Sequence, residues 1–333
     1  MSPVRTLLGL TASLVVLIAT PVYRASAADS CSLKQVASLP ATIGDGVIID
    51  TKINGTSAPM YLGSGSAVSH LSEGFAKRIG LPIEEMRSGF ASTGSRRGLN
   101  LMTHVGLLEL GQTKSRSESF ILTPDQSDGT DGQPVGTFAA DYLANYDIEI
   151  DPVANKVVLW SQDHCRGQVV YWDKEYFAIP ILFRQIWGDH VPELDVTVDG
   201  KPLRALISTS RSTTVVRQAS AEGKLGWTVD SATTPKSGTW EDDDGRALDE
   251  YEHTTQSLTF GDITLHNFKV KIDPIDFAAH VHSTGSHISS ANIEQPDIYI
   301  GMDLLKKFHI YFAHKEAMLY YTIATPPKQA AVQ

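Results

Sequence analysis

Apolar residues along this chain fall in short runs of strand length, broken by Gly, Asn, Asp and Pro, and only brief stretches carry helical spacing. The pattern predicts an all-β protein. Residues 47–66, VIIDTKINGTSAPMYLGSGS, and residues 192–211, PELDVTVDGKPLRALISTSR, repeat one layout of apolar strand, two-residue turn and second strand. The turns are Asn54-Gly55 and Asp199-Gly200, pairs that accept the positive φ a tight hairpin needs at both central positions. Eight residues beyond each turn glycine stands a small polar triplet, Gly63-Ser64-Gly65 in the first copy and Ser208-Thr209-Ser210 in the second.

The repeat continues along the chain. Residues 72–79 predict a short helix closed by Gly80, and residues 217–225 its counterpart closed by Gly226. Residues 107–111 match 257–261, residues 141–150 match 303–312, and each half closes on an apolar strand, 156–160 and 317–322. Ordered matches at nearly constant offset indicate an internal duplication. The reading divides the chain into a leader at 1–27, a first lobe at 40–160, a connection at 161–190, a second lobe at 191–322 and an unstructured tail at 323–333. Segments 124–134 and 280–296 read as mobile loops.

The leader has a basic Arg5, a short apolar run from Leu7 to Ile18 and an Ala25-Ser26-Ala27 cleavage site. It predicts an exported protein, periplasmic or extracellular, whose mature chain starts at Ala28 and has no membrane span; an uncleaved anchor is the alternative. The formal net charge of −10 becomes more negative when Arg5 and Arg24 leave. Such an acidic chain without a basic stripe lacks the footprint for nucleic acid. Cys31 and Cys165 are its two cysteines, which in an oxidising compartment predict one disulfide, with two buried thiols as the alternative.

The duplicated layout resembles the retropepsin-like and pepsin-like aspartic peptidases, whose triplet is Asp-Thr-Gly. The resemblance spans roughly residues 45–160 and 191–322 and includes Gly301-Met302-Asp303-Leu304-Leu305, which looks like the family's glycine motif leading into a short helix. Ala139 stands in the first half where Gly301 stands in the second. The resemblance implies two tandem β lobes with short helices and a central cleft. It also implies flap hairpins at residues 86–103, with a tip at Thr93-Gly94-Ser95, and at 236–250, with an acidic tip at 241–245.

In that family two carboxylates share a proton across the cleft, one activating water and the other protonating the carbonyl oxygen. Here the matching positions are Gly63, which has no side chain, and Ser208, whose hydroxyl does not ionise near neutral pH. The resemblance implies that the middle residues, Ser64 and Thr209, hydrogen-bond across the lobes and that Gly65 allows close packing. Ser210, in place of the second glycine, implies a relaxed second loop. The resulting expectation is a monomeric, cofactor-free pseudo-peptidase that takes an extended peptide in its cleft by strand-edge hydrogen bonding. The alternatives are a hydrolase with a rebuilt site and a protein-interaction scaffold.

Other chemistry is weaker. His280, His282 and His287 could hold a metal, but their Ser/Gly-rich setting reads as a surface loop. The acidic run at 241–245 lacks the alternation of a calcium loop and reads as a solvated turn. Residues 63–67 are not a Gly-x-Ser-x-Gly elbow, and although His70 is near in sequence, a catalytic triad is set by geometry.

Overall fold

The computed structural model describes residues 32–90, 99–183, 191–241, 247–274 and 295–324. Residues from Ser32 onward belong to one compact unit. Strands dominate, and the predicted duplication is written in the pairing of the strands. In the first half, Met60–Leu62 runs parallel to Gly136–Phe138, which runs antiparallel to His70–Ser72. His70–Ser72 then runs parallel to Glu118–Thr123, which pairs antiparallel with Leu99–Val105. The second half repeats this order through Lys201–Ile207, Ile298–Ile300, Val215–Arg217, Lys269–Asp273 and Ala247–Thr254.

Local chemistry explains the punctuation. Asn54 and Gly55 have φ of 49° and 82°, and Asp199 and Gly200 have 48° and 76°, the doubly positive turn that these residue pairs favour. The helix Glu73–Arg78 is capped by Ser72, whose Oγ accepts from the Phe75 amide at 3.2 Å, and Gly80 ends it at φ 71°. Its counterpart is shorter, Gln218–Ser220, and passes into a π-helical turn, Ala221–Leu225, before Gly226 at φ 77°.

The closing strands of the two halves lie together. Phe177–Pro180, Met318–Ile323, Phe308–Ala313, Asp147–Asp151, Lys156–Trp160 and Gln35–Ile43 lie side by side, all antiparallel, in one sheet that both halves share. The expected connection therefore contributes an edge strand, and Leu182–Phe183 within it pairs with Pro192–Val198.

Alternation along Phe308–Ala313 gives this sheet two faces. Phe308, Ile310 and Phe312 enter the main core, where Phe260, Phe308 and Tyr321 pack with ring centroids 5.3–5.8 Å apart. Tyr311 and Ala313 face a second cluster with Trp160, Val169 and Tyr320, so part of the connection covers the sheet as a layer. Segment 124–134, expected to be mobile, is tied by consecutive side-chain turns in which Asp125, Asp128 and Asp131 accept from the amides of Ser127, Thr130 and Gln133 at 2.9 Å.

Candidate functional site

The two triplets meet at the junction between the halves. The Ser64 amide donates to Thr209 Oγ1 at 3.1 Å, and the Thr209 amide donates to Ser64 Oγ at 3.2 Å. Ser64 Oγ also donates to the Ile207 carbonyl at 2.8 Å, and Thr209 Oγ1 donates to the Leu62 carbonyl. Each hydroxyl therefore bonds the opposite loop's backbone, and both side chains are buried. The second loop is not relaxed by Ser210: Thr209 makes its full set of bonds, and its carbonyl accepts from the Val47 amide at 2.8 Å. Gly65 packs as its residue type suggests, since a Cβ there would lie 2.6 Å from Leu206 Cδ2 and 3.1 Å from the Ile207 carbonyl oxygen.

Matching backbone bonds seat the two outer positions. The Gly63 amide donates to Phe138 O at 2.7 Å and the Ser208 amide to Ile300 O at 2.9 Å. Five residues beyond each central residue, Ser69 and Thr214 bond Asp141 and Asp303 through both amide and hydroxyl, at 2.6–2.9 Å. The same hydroxyls accept from Ala139 N and Gly301 N at 2.9 and 3.1 Å. These acids brace the loops through oxygens that already hold hydrogen bonds.

Position 63 has no room for a carboxylate. A Cβ on Gly63 would fall well inside contact distance of Thr137 Cγ2, and 3.3 Å from the Phe138 carbonyl oxygen. Gly63 is not among the positive-φ glycines, so space and not backbone conformation makes it glycine. Ser64 Oγ is engaged with Ile207 and Thr209. It is thereby committed to structure rather than to His70, whose pKa burial holds below the ordinary imidazole value.

Ladder register shows which side chains share a face with Tyr61 and Leu206, which pack at the junction, because directly paired residues share a face. In the first half these are Tyr61, Thr137, His70 and Ile121. In the second they are Leu206, Tyr299, Val215 and Lys271, with Arg217 opposite Asp273 one step further on. The walls differ chemically: the second alone carries an ion-pair cluster of Arg211, Asp273, Lys271 and Glu250 among these described residues.

A further polar centre escaped the sequence reading. The run Asp147-Ile148-Glu149-Ile150-Asp151 alternates, and that alternation was its signal. The isoleucines enter the core. Buried Glu149 accepts from Trp160 Nε1 at 2.8 Å and from the Tyr171 hydroxyl at 2.9 Å, and lies 2.9 Å from His309 Nε2. Buried Asp147 meets His164 Nε2 at 2.5 Å and accepts from the His314 amide at 2.9 Å. Burial pushes Asp147 up from the usual carboxylate pKa, against the opposing effect of His164. Glu149, Asp151 and His309 are close enough to share a cation. The Glu149 oxygens already have three donors, however, which fits a hydrogen-bonded support for the covering layer better than a metal centre.

Of the remaining sequence candidates, His280, His282, His287, the flap tip 93–95, the acidic residues 242–245, the leader and the tail from 325 lie outside the described residues. So does Cys31, the expected partner of Cys165; Cys165 itself is not a free thiol. No helix among the described residues is long and apolar enough to cross a membrane.

No family model matches this chain. No curated protein matches it either. Among solved structures it is similar to the aspartic proteinase from Irpex lacteus, at 12% identity and a TM-score of 0.47, covering 88% of this chain and 98% of that one. It is also similar to Basic 7S globulin from soybean, at 10% identity and a TM-score of 0.46, covering 91% of this chain and 98% of that one. The two-lobed, all-β description rests on this chain's own strand pairing.

Proposed function

We propose that this protein is a non-catalytic homologue of the aspartic peptidases that binds an extended peptide between its lobes. The observation that carries the reading is the reciprocal bonding of Ser64 and Thr209 beside outer positions that hold no acid. The junction keeps its architecture, while Thr137 crowds position 63 and position 208 offers a hydroxyl. Without a carboxylate there is no base to take a proton from water at either place. Strand edges flanking such a junction bind an extended chain through backbone hydrogen bonds, a mode that needs no catalytic group. The same reading includes retropepsin-like lobes at 40–160 and 191–322, export after cleavage before Ala28, a Cys31–Cys165 bridge and a monomeric state.

The deciding experiment incubates the purified protein with a generic protein substrate between about pH 3 and 5, the range in which a carboxylate pair shares one proton. The expected result is no cleavage, with or without a statine-type inhibitor. Cleavage abolished by that inhibitor, with contaminating enzyme excluded, would overturn the reading in favour of a rebuilt hydrolase.

A further inference from the structure

The second wall of the junction contains a buried acid whose hydrogen bonding is incomplete. Asp273 is 6% exposed at the end of Lys269–Asp273, and its Oδ1 has no hydrogen-bond partner. Its ladder partner is Arg217, and the preceding Ile272 points into the core, so Asp273 is on the opposite face with Lys271, Val215 and Tyr299. Arg211, from the loop that carries Ser208 and Thr209, approaches Asp273 Oδ2 with Nη1 at 3.7 Å. That is too long for a hydrogen bond. The same guanidinium lies over the Tyr299 ring, 5.4 Å from its centroid.

Arg211 therefore offsets the charge of Asp273 without supplying a hydrogen bond. Nearby Lys271 is paired with Glu250, so this second cation is committed elsewhere. A carboxylate taken out of water with a lone pair unmatched carries a desolvation cost that a donor can relieve. Burial accordingly pushes its pKa above the usual carboxylate range, against the opposing effect of Arg211. The first wall has no such group at the equivalent rung, where Thr123 stands opposite Ser72. The asymmetry gives the junction a polarity along any peptide that crosses it.

We infer that Asp273, framed by Arg211 and Tyr299, is a specificity subsite that accepts a lysine or arginine side chain of an extended peptide. This rests on the peptide-binding reading above. A cationic donor fits best, because a charge-assisted hydrogen bond is roughly twice as strong as a neutral one. The acidic charge of the whole chain, −10, favours the approach of basic peptides.

The test pans a random decapeptide phage library against the wild type, Asp273→Asn, Asp273→Leu and Ser66→Phe, each first shown to be folded by a cooperative thermal transition. Ser66 Oγ lies 3.5 Å from where a Gly63 Cβ would be, so phenylalanine there obstructs the junction. The expected result is an enrichment of Lys or Arg at one position, about tenfold over Gln. Both Asp273 variants should lose it, and Ser66→Phe should bind none of the selected peptides. Peptides that depend on an open junction but show no basic preference, or keep that preference in Asp273→Asn, would overturn the subsite and leave peptide binding standing. Selection of no junction-dependent peptide by the wild type would overturn both.

Discussion

Ser64 and Thr209 are 145 positions apart in the chain, yet each backbone amide donates to the other's side-chain oxygen, at 3.1 and 3.2 Å. Their hydroxyls also reach past one another to the carbonyls of Ile207 and Leu62. The two loops are thus fixed by four groups that would otherwise be buried without partners. Removing one hydroxyl leaves donors and acceptors on both sides unmet.

Thr209→Val retains the shape and deletes that hydroxyl. The expected loss is about 2–4 kcal/mol, from unmade hydrogen bonds at Ser64 N and Leu62 O. Urea unfolding of Thr209→Val, Ser64→Ala and the double variant would show the two effects to be strongly non-additive. Additive losses would mean that the hydroxyls act independently.

Gly63→Asp should destabilise the junction. The side chain would collide with Thr137 Cγ2, at an overpacking cost of about 1–3 kcal/mol, with burial of a charge added. Thr137→Ala in the same background should recover part of the loss. The variant Gly63→Asp, Ser208→Asp, Ser210→Gly is accordingly expected to show a lower thermal midpoint before it shows any acid peptidase activity. Full stability in Gly63→Asp alone would contradict the crowding.

Asp297 supplies a pH test. Burial acts to raise its pKa, but Lys224, the Ser220 hydroxyl and the Arg204 amide together hold it below the ordinary carboxylate value. Its folded-state value is depressed, so its contribution is fully present above the unfolded value, about 4. That contribution is lost as pH falls through the folded value. Asp297→Asn should lower stability at pH 7 by about 2–4 kcal/mol and flatten the acid limb of the stability profile. Parallel wild-type and variant profiles from neutral to acid pH would show that Asp297 carries no such linkage.

Glu149→Ala should cost about 3 kcal/mol or more, because Trp160, Tyr171 and His309 lose their common partner. Adding Zn²⁺ or EDTA should leave the wild-type thermal midpoint unchanged. A rise with Zn²⁺ that Glu149→Ala abolishes would instead assign Glu149, Asp151 and His309 as a metal centre.

Local and periodic features were legible in the sequence. Asn54-Gly55 and Asp199-Gly200 specify their turns because few other pairs tolerate positive φ twice, and strand alternation specifies the all-β class. The recurrence of small polar triplets at one spacing made the duplication visible, and Gly63 and Ser208 showed that neither triplet opens on an acid. Features that depend on residues far apart emerged with folding. The strands 147–151 and 308–313 gave no sign that they pair, since backbone hydrogen bonding is nearly independent of residue type. The crowding of Gly63 needs Thr137, and the unmatched oxygen of Asp273 needs the full set of neighbours from three other strands and a loop. A sequence states which donors and acceptors a chain owns; folding alone decides which of them remain unpaired.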